Sequence, residues 1–227
     1  MTTNIPTIQA SPEEIYDIEL EHSLLEANAK IAAANRKALD SHGITAIDFM
    51  GAIGSGKTTL ITKLVEKLKP KLGVAVFNGD ATVSDDFDGV ARQQAPVVQI
   101  ATVNGCHLDA NVVGKALKHV DLKKISLIFI ENIGNLICPA EFPLGSKARV
   151  VVISVTEGPY MVKKHPHMFL GARIVVINKS DLADIMGVSI AELTKDVHTL
   201  KPDIKVIATS CKTGEGVEEV AGALLAV

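Results

Sequence analysis

Gly51-Ala52-Ile53-Gly54-Ser55-Gly56-Lys57-Thr58 follows directly on the apolar run Ile44-Thr45-Ala46-Ile47-Asp48-Phe49-Met50. The spacing is that of the Walker A pattern, glycine at the first and sixth positions and then lysine and a hydroxyl residue, set between a strand and a helix as the pattern requires. Glycines allow backbone conformations that a side chain would forbid, so successive N–H groups can turn inward around a β-phosphate. Lys57 adds a point charge for the β- and γ-phosphates, Thr58 offers its hydroxyl to Mg²⁺, and the helix that begins here turns its positive end toward the anion. A nucleoside triphosphate site is expected at Gly51, Gly54, Ser55, Gly56, Lys57, Thr58 and Thr59, with Lys57 also serving catalysis.

Outward from this stretch, short β-branched runs alternate with helical patterns. Strands are predicted at Gly73 to Phe77, Val97 to Val103, Ile125 to Ile130, Arg149 to Val155, Arg173 to Ile177 and Ile204 to Ala208. Helices are predicted at Lys57 to Lys69, Leu108 to Val120, Ile190 to Leu200 and Val217 to Leu225. Such alternation predicts a mainly parallel sheet covered by helices on both faces, and continuous apolarity as in Val150-Val151-Val152-Ile153 fits strands buried on both sides. The fold class is therefore α/β: a P-loop NTPase three-layer αβα sandwich with a mainly parallel sheet and an N-terminal helix.

Two parts are expected, residues 1–43 as a tail and helix packing on the core and residues 44–227 as the P-loop domain. Residues 1–10 read as polar and loose. Ser11-Pro12-Glu13-Glu14 then supplies an N-cap, a first-turn proline and a capping-box glutamate, opening a helix to about Ala38. Ile15, Ile18, Leu25, Ala29 and Ala32 mark its packed stripe, interrupted by His22, and His42-Gly43 ends it.

At 227 residues and 47% hydrophobic content the chain can bury a substantial core, which excludes a disordered chain. A net charge of −3, no tryptophan and no basic cluster give little support for nucleic acid or an anionic membrane as partner. No apolar run has the length of a membrane span, and Met1 to Ala10 lacks a charged-then-apolar leader pattern. A cytoplasmic location is expected. Three scattered cysteines do not make a disulfide framework and read as packing, metal or redox groups.

Ile174-Val175-Val176-Ile177 runs into Asn178-Lys179-Ser180-Asp181, the N-K-x-D pattern of guanine readers. A carboxylate at a strand end can accept from both the ring N–H and the exocyclic amine of guanine, whereas adenine offers no matching pair of donors. Asp181 thus selects GTP, Asn178 braces neighbouring loops and the Lys179 stem lies over the base. Thr209-Ser210-Cys211-Lys212-Thr213-Gly214 looks like the second guanine loop, through Ser210, Cys211 and Lys212, with Cys211 as a small packing residue. Mg²⁺ candidates are Thr58, Asp80, Asp86 and Glu131. Asp80 and Glu131 end strands beside the loop, and Asp86 also orients or activates water, so Asp86 and Glu131 join Lys57 as catalytic candidates.

Cys106-His107 precedes one predicted helix and Cys138-Pro139 lies in a loop beyond Glu131. Thiolate and imidazole suit zinc, nickel or copper. Spacing alone also fits two packed thiols and an unrelated histidine. Adjacent Cys and His side chains are expected to point apart, and three ligands fall short of a closed four-coordinate zinc site, so water or a second subunit would complete the shell.

Asn104-Gly105-Cys106-His107-Leu108-Asp109-Ala110 and Ile130-Glu131-Asn132-Ile133-Gly134-Asn135-Leu136-Ile137-Cys138-Pro139 closely resemble the hydrogenase nickel-incorporation GTPases, the HypB family of the SIMIBI class. The similarity runs from about Ile44 to Gly216 and includes Gly79-Asp80, Asp86, Thr156-Glu157-Gly158 and Thr213-Gly214-Glu215-Gly216. What the resemblance implies is a slow, dimeric GTPase that binds Ni²⁺ or Zn²⁺ at its subunit interface through Cys106, His107 and Cys138. Its implied partners are the hydrogenase large subunit and an accessory nickel/zinc metallochaperone, and Asp86 is its implied water-orienting acid. Asn111 and Lys115 stand where some relatives carry further histidines, and the N-terminus lacks a cysteine cluster or histidine tract, so a second ion site and nickel storage are not expected. Glu131 to Cys138, made compliant by Gly134 and Asn135, is the expected route between phosphate and metal. The rivals are a urease-type nickel GTPase, whose Cys-Pro-His pair is not matched here, a GTP-binding switch without metal delivery, and a non-catalytic metal carrier.

Overall fold

The computed structural model describes residues 7–9, 21–79, 95–101 and 106–227. Among these, eight parallel strands form one sheet: β1 (Thr7–Gln9), β2 (Thr45–Met50), β3 (Val74–Asn78), β4 (Val97–Ala101), β5 (Leu127–Glu131), β6 (Ala148–Ser154), β7 (Ile174–Asn178) and β8 (Lys205–Ala208). Their spatial order is β1-β4-β3-β5-β2-β6-β7-β8. β2, which leads into the phosphate loop, lies between β5 and β6, with Phe49 beside both Glu131 and Val150.

Helices cover both faces, because alternate strand residues are apolar on each side. On one face α2 (Lys57–Leu68) and α8 (Val217–Leu225) pack over Ile47, Phe49, Val150, Val152 and Val176. On the other, α1 (Glu21–Ser41) and α3 (Ala110–Leu117) cover Ala46, Phe77, Ile128 and Ile130. The same face continues under α4 (Met161–Lys164), α5 (Pro166–Leu170) and α7 (Ile190–Leu200), which cover Met50, Val151, Val175 and Ile177. A single turn, α6 (Ala183–Met186), follows the guanine-type motif. No described helix is long and apolar enough to cross a membrane.

Several sequence expectations need correction. Thr7–Gln9 is not loose but pairs with β4, whose outer edge would otherwise present unpaired backbone groups. The predicted capping motif at Ser11, with Ile15 and Ile18, lies outside the described residues. The inward stripe of α1 is Asn28, Ala32, Asn35 and Leu39; Ala29 is exposed and Leu25 half-buried. Two asparagines belong on that face because it meets backbone. Asn28 accepts from the Ala110 N–H and donates to the Pro143 carbonyl, and Asn35 donates to the carbonyls of Ala110 and Leu144. α3 begins at Ala110 rather than Leu108 because Asp109 caps it, accepting from the N–H groups of Asn111 and Val112 at 2.8 and 3.0 Å.

Candidate functional site

The loop after β2 has the backbone that its glycines predict. Gly54 and Gly56 have φ of 79° and 94°, and Gly56 is the N-cap of α2. A Cβ on Gly56 would lie 2.2 Å from Asn178 Nδ2, so glycine here also lets the guanine-type motif approach. Lys57 is 3% exposed, and its Nζ donates to the carbonyls of Gly51 and Ala52 at 3.0 and 3.1 Å, which seats the ammonium across the loop. Thr58 Oγ1 donates to Glu131 Oε1 at 2.7 Å, so hydroxyl and carboxylate stand together where a hard cation on phosphate oxygens would need them. Thr59 is exposed on the first turn. Asp80 and Asp86, the other predicted Mg²⁺ ligands, lie outside the described residues.

The second pole is built by β7 and β8. Asn178 Nδ2 donates to the Ser55 carbonyl at 2.9 Å, while its Oδ1 accepts from Thr209 Oγ1 and the Cys211 N–H, tying the phosphate loop to both guanine-type loops. Lys179 has φ of 60°, and its Nζ lies 3.4 Å from Thr156 Oγ1. Ser210 Oγ donates to Asp181 Oδ1 at 2.6 Å. That bond orients an otherwise exposed carboxylate and leaves acceptor capacity on both of its oxygens. Cys211 is buried, which pushes its thiol up to about 11, so it packs as expected; Lys212 is exposed.

The third cluster is Cys106, His107 and Cys138, whose ligating atoms all lie within 4.8 Å of one another. Adjacent Cys and His do not point apart: Cys106 Sγ is 3.4 Å from His107 Nδ1. The backbone bends at these two residues, and the alternation of neighbouring side chains holds only for extended chain. His107 stacks on Phe142 with ring centroids 3.8 Å apart, and burial lowers its pKa against the pull of Asp109 and Glu141. Burial, then the nearby Cys138, raises the Cys106 thiol. Two sulfurs and a neutral imidazole fit a soft to borderline divalent ion.

The poles are joined by residues 131–138. Gly51 and Asn135 form an antiparallel bridge, and a Cβ on Gly134 would lie 2.4 Å from Ile53 Cγ1. Gly134 therefore serves close approach to the phosphate loop. Sequence reasoning also missed Phe142, Asn132, Asp48 and Arg149. Asp48 carried a signal, a carboxylate inside an apolar strand; Phe142 carried none. Glu157, quoted only within a resembling stretch, accepts from the Ser154 N–H at 2.9 Å, and its carboxyl is raised by burial against the opposing pull of Lys57 and Lys179.

The profile of the CobW/HypB/UreG nucleotide-binding domain matches residues 45–208, from β2 to the end of β8. Over 203 residues the chain is 47% identical to the probable hydrogenase maturation factor HypB of Methanocaldococcus jannaschii, covering 89% of this chain and 92% of that one. The crystal structure of hydrogenase maturation factor HypB from Archaeoglobus fulgidus superposes with a TM-score of 0.85 at 39% identity, covering 88% of this chain and 98% of that one. HypB from Helicobacter pylori, solved in complex with nickel, superposes with a TM-score of 0.83 at 30% identity, covering 88% and 94%.

Proposed function

The chain belongs to the CobW/HypB/UreG nucleotide-binding family, and from that premise we propose that it is a GTP-hydrolysing nickel-insertion protein for [NiFe]-hydrogenase maturation. One observation carries the reading: the segment that leaves Glu131, bonded to Thr58, runs against the phosphate loop at Gly51 and ends at Cys138 in the thiol–imidazole cluster. The relatives named as hydrogenase maturation factors, one solved with nickel, support nickel as the cargo.

In this reading Asp181 selects guanine and Lys57 neutralises the β- and γ-phosphates. Thr58 and Glu131, with Asp80 and Asp86, would hold Mg²⁺, which when bound would supply positive charge to the phosphates, and Asp86 orients the attacking water. Cys106, His107 and Cys138 hold the cargo ion, nickel or zinc. The three ligands found among the described residues leave the shell to be completed by a second copy, and the exposed Ile53 on the phosphate loop and Ile137 within the joining segment, at 80% and 69%, offer apolar surface for that contact. The hydrogenase large subunit receives the ion, and an accessory metallochaperone supplies or shares it.

Coupling between the poles has a direct check. Nickel titrations at matched protein concentration should give different affinities with GDP and with a non-hydrolysable GTP analogue, and by reciprocity nickel should shift the preference between the two nucleotides by the same factor. Identical nickel affinities in the two states would sink the coupling. The base pocket is checked by Asp181→Asn, which exchanges a charged acceptor for an amide that can donate to the xanthine carbonyl. GTP affinity should fall by roughly 10- to 100-fold, the range for a hydrogen bond to a charged group, with xanthosine triphosphate gaining. An unchanged preference would place the base elsewhere.

A further inference from the structure

A carboxylate with no solvent exposure sits in the middle of β2. Asp48 lies on the face of Ala46 and Met50, at the seam where the apolar cluster under α1 and α3 gives way to the one under α4, α5 and α7. Its neighbour in strand register is Arg149 on β6, 13% exposed at its side chain, whose Nε donates to Asp48 Oδ2 at 3.2 Å. Asn132 Nδ2 donates to Asp48 Oδ1 at 3.1 Å.

Both chains of bonds continue outward, and both end beside the thiol–imidazole cluster. On one side Asn132 Oδ1 accepts from the Leu108 N–H at 3.1 Å, the backbone group next to His107. On the other, Arg149 Nη1 donates to the Ala140 carbonyl at 3.0 Å and Nη2 to the Pro139 carbonyl at 3.3 Å, directly after Cys138. Room for the guanidinium is kept by Gly171, where a Cβ would lie 2.9 Å from Nη1.

This network is a poor device for stability. Burial raises the Asp48 carboxyl despite the opposing pull of Arg149 and Asn132, and a buried ion pair often does no better than well-packed apolar residues of the same volume. What it does provide is geometry: two segments far apart in sequence, each carrying part of the cluster, are referred to one rigid point in the sheet.

We propose that Asp48, Asn132 and Arg149 are positioning residues that hold the Cys106-His107 bend and Cys138 at ligating distance. The proposal rests on the reading of that cluster as the metal site. Arg149 is the decisive member, because a planar guanidinium directs separate nitrogens at the carboxylate and the two carbonyls in a fixed fork, where an ammonium donates from a single point on a flexible stem.

The test uses the full chain and a double variant, Asp48→Asn with Arg149→Met, which leaves no buried charge uncompensated. The first readout needs no metal: the rate at which diamide cross-links Cys106 to Cys138, identified by peptide mapping. Each thiol loses a proton and one electron, and the azo bond of the reagent is reduced to the hydrazine. Cross-linking in the double variant should be at least tenfold slower than in the wild type. Ni²⁺ affinity should fall by roughly 10- to 100-fold, the usual cost of losing groups that orient metal ligands, with a changed sulfur-to-nickel absorption band. Circular dichroism and GDP affinity report the fold.

A folded double variant that cross-links at the wild-type rate and keeps its nickel affinity and absorption overturns the proposal. Slower cross-linking in a protein whose wild type takes up no nickel upholds the positioning role and removes the metal reading. Wild-type nickel uptake, with cross-linking rate, nickel affinity and absorption all unchanged in the double variant, does the reverse. Should the double variant not fold, Arg149→Lys keeps the charge opposite Asp48 and loses the fork, and is held to the same two readouts.

Discussion

Lys57→Ala is expected to lower GTP turnover by roughly 10²- to 10³-fold, the cost of removing one preorganised donor from developing transition-state charge. Lys57 is buried at the first turn of α2, and its ammonium lies over the Gly51 and Ala52 carbonyls, the lip of the loop that would face the phosphates. Lys179, on the guanine side, is directed to Thr156 rather than to the Gly51 and Ala52 carbonyls. The fold should survive, because alanine is the better helix former and the core of α2 rests on Leu60, Ile61, Leu64 and Val65. Phosphate release from GTP, with a thermal melt as control, is the measurement. Turnover within threefold of wild type in a folded variant would remove Lys57 from catalysis, whereas a dimeric wild type that releases no phosphate from GTP would leave a non-catalytic metal carrier.

Cys106→Ser and Cys138→Ser, singly, should each weaken nickel binding by more than about 100-fold, beyond the range for losing a group that merely orients a ligand. Serine keeps the volume but replaces a polarizable thiolate with a hard hydroxyl that stays protonated near neutral pH. The cluster has no spare donor to compensate, since Cys106, His107 and Cys138 are its full membership among the described residues. Nucleotide affinity without metal should hold, because neither thiol touches the phosphate or base loops through any described bond. Competition against a chromophoric chelator gives the affinity, and loss of the sulfur-to-nickel band identifies its cause. A serine pair with full nucleotide response would favour a GTP-binding switch that delivers no metal, and one that still binds nickel as tightly would place the ion elsewhere.

Much of the fold was legible because strand and helix signals in an α/β chain are local. Ile190–Leu200 and Val217–Leu225 form over the predicted residues, and the other strands and helices predicted from Lys57 onward shift by at most three residues at those ends that lie among the described residues, where caps such as Asp109 set the boundary. The phosphate loop and Asn178 to Asp181 were legible for the same reason: a short contiguous stretch with a required backbone shape carries its own requirement for glycine, lysine or carboxylate. α1 was read less well. Periodicity finds apolar faces, and this helix packs through Asn28 and Asn35 against the backbone at Ala110, Pro143 and Leu144, a role that hydropathy does not register.

By itself, then, the sequence determined the architecture, the phosphate loop and the type of donor at each pole, since each is written in neighbouring residues. Only the tertiary structure decided that Cys106 and His107 converge on Cys138, that Gly134 lies against Ile53, and that Asp48 meets Arg149. Those contacts depend on the register of β2 between β5 and β6 and on a bend at Cys106, and strand register is a long-range choice made by the packing of the whole sheet.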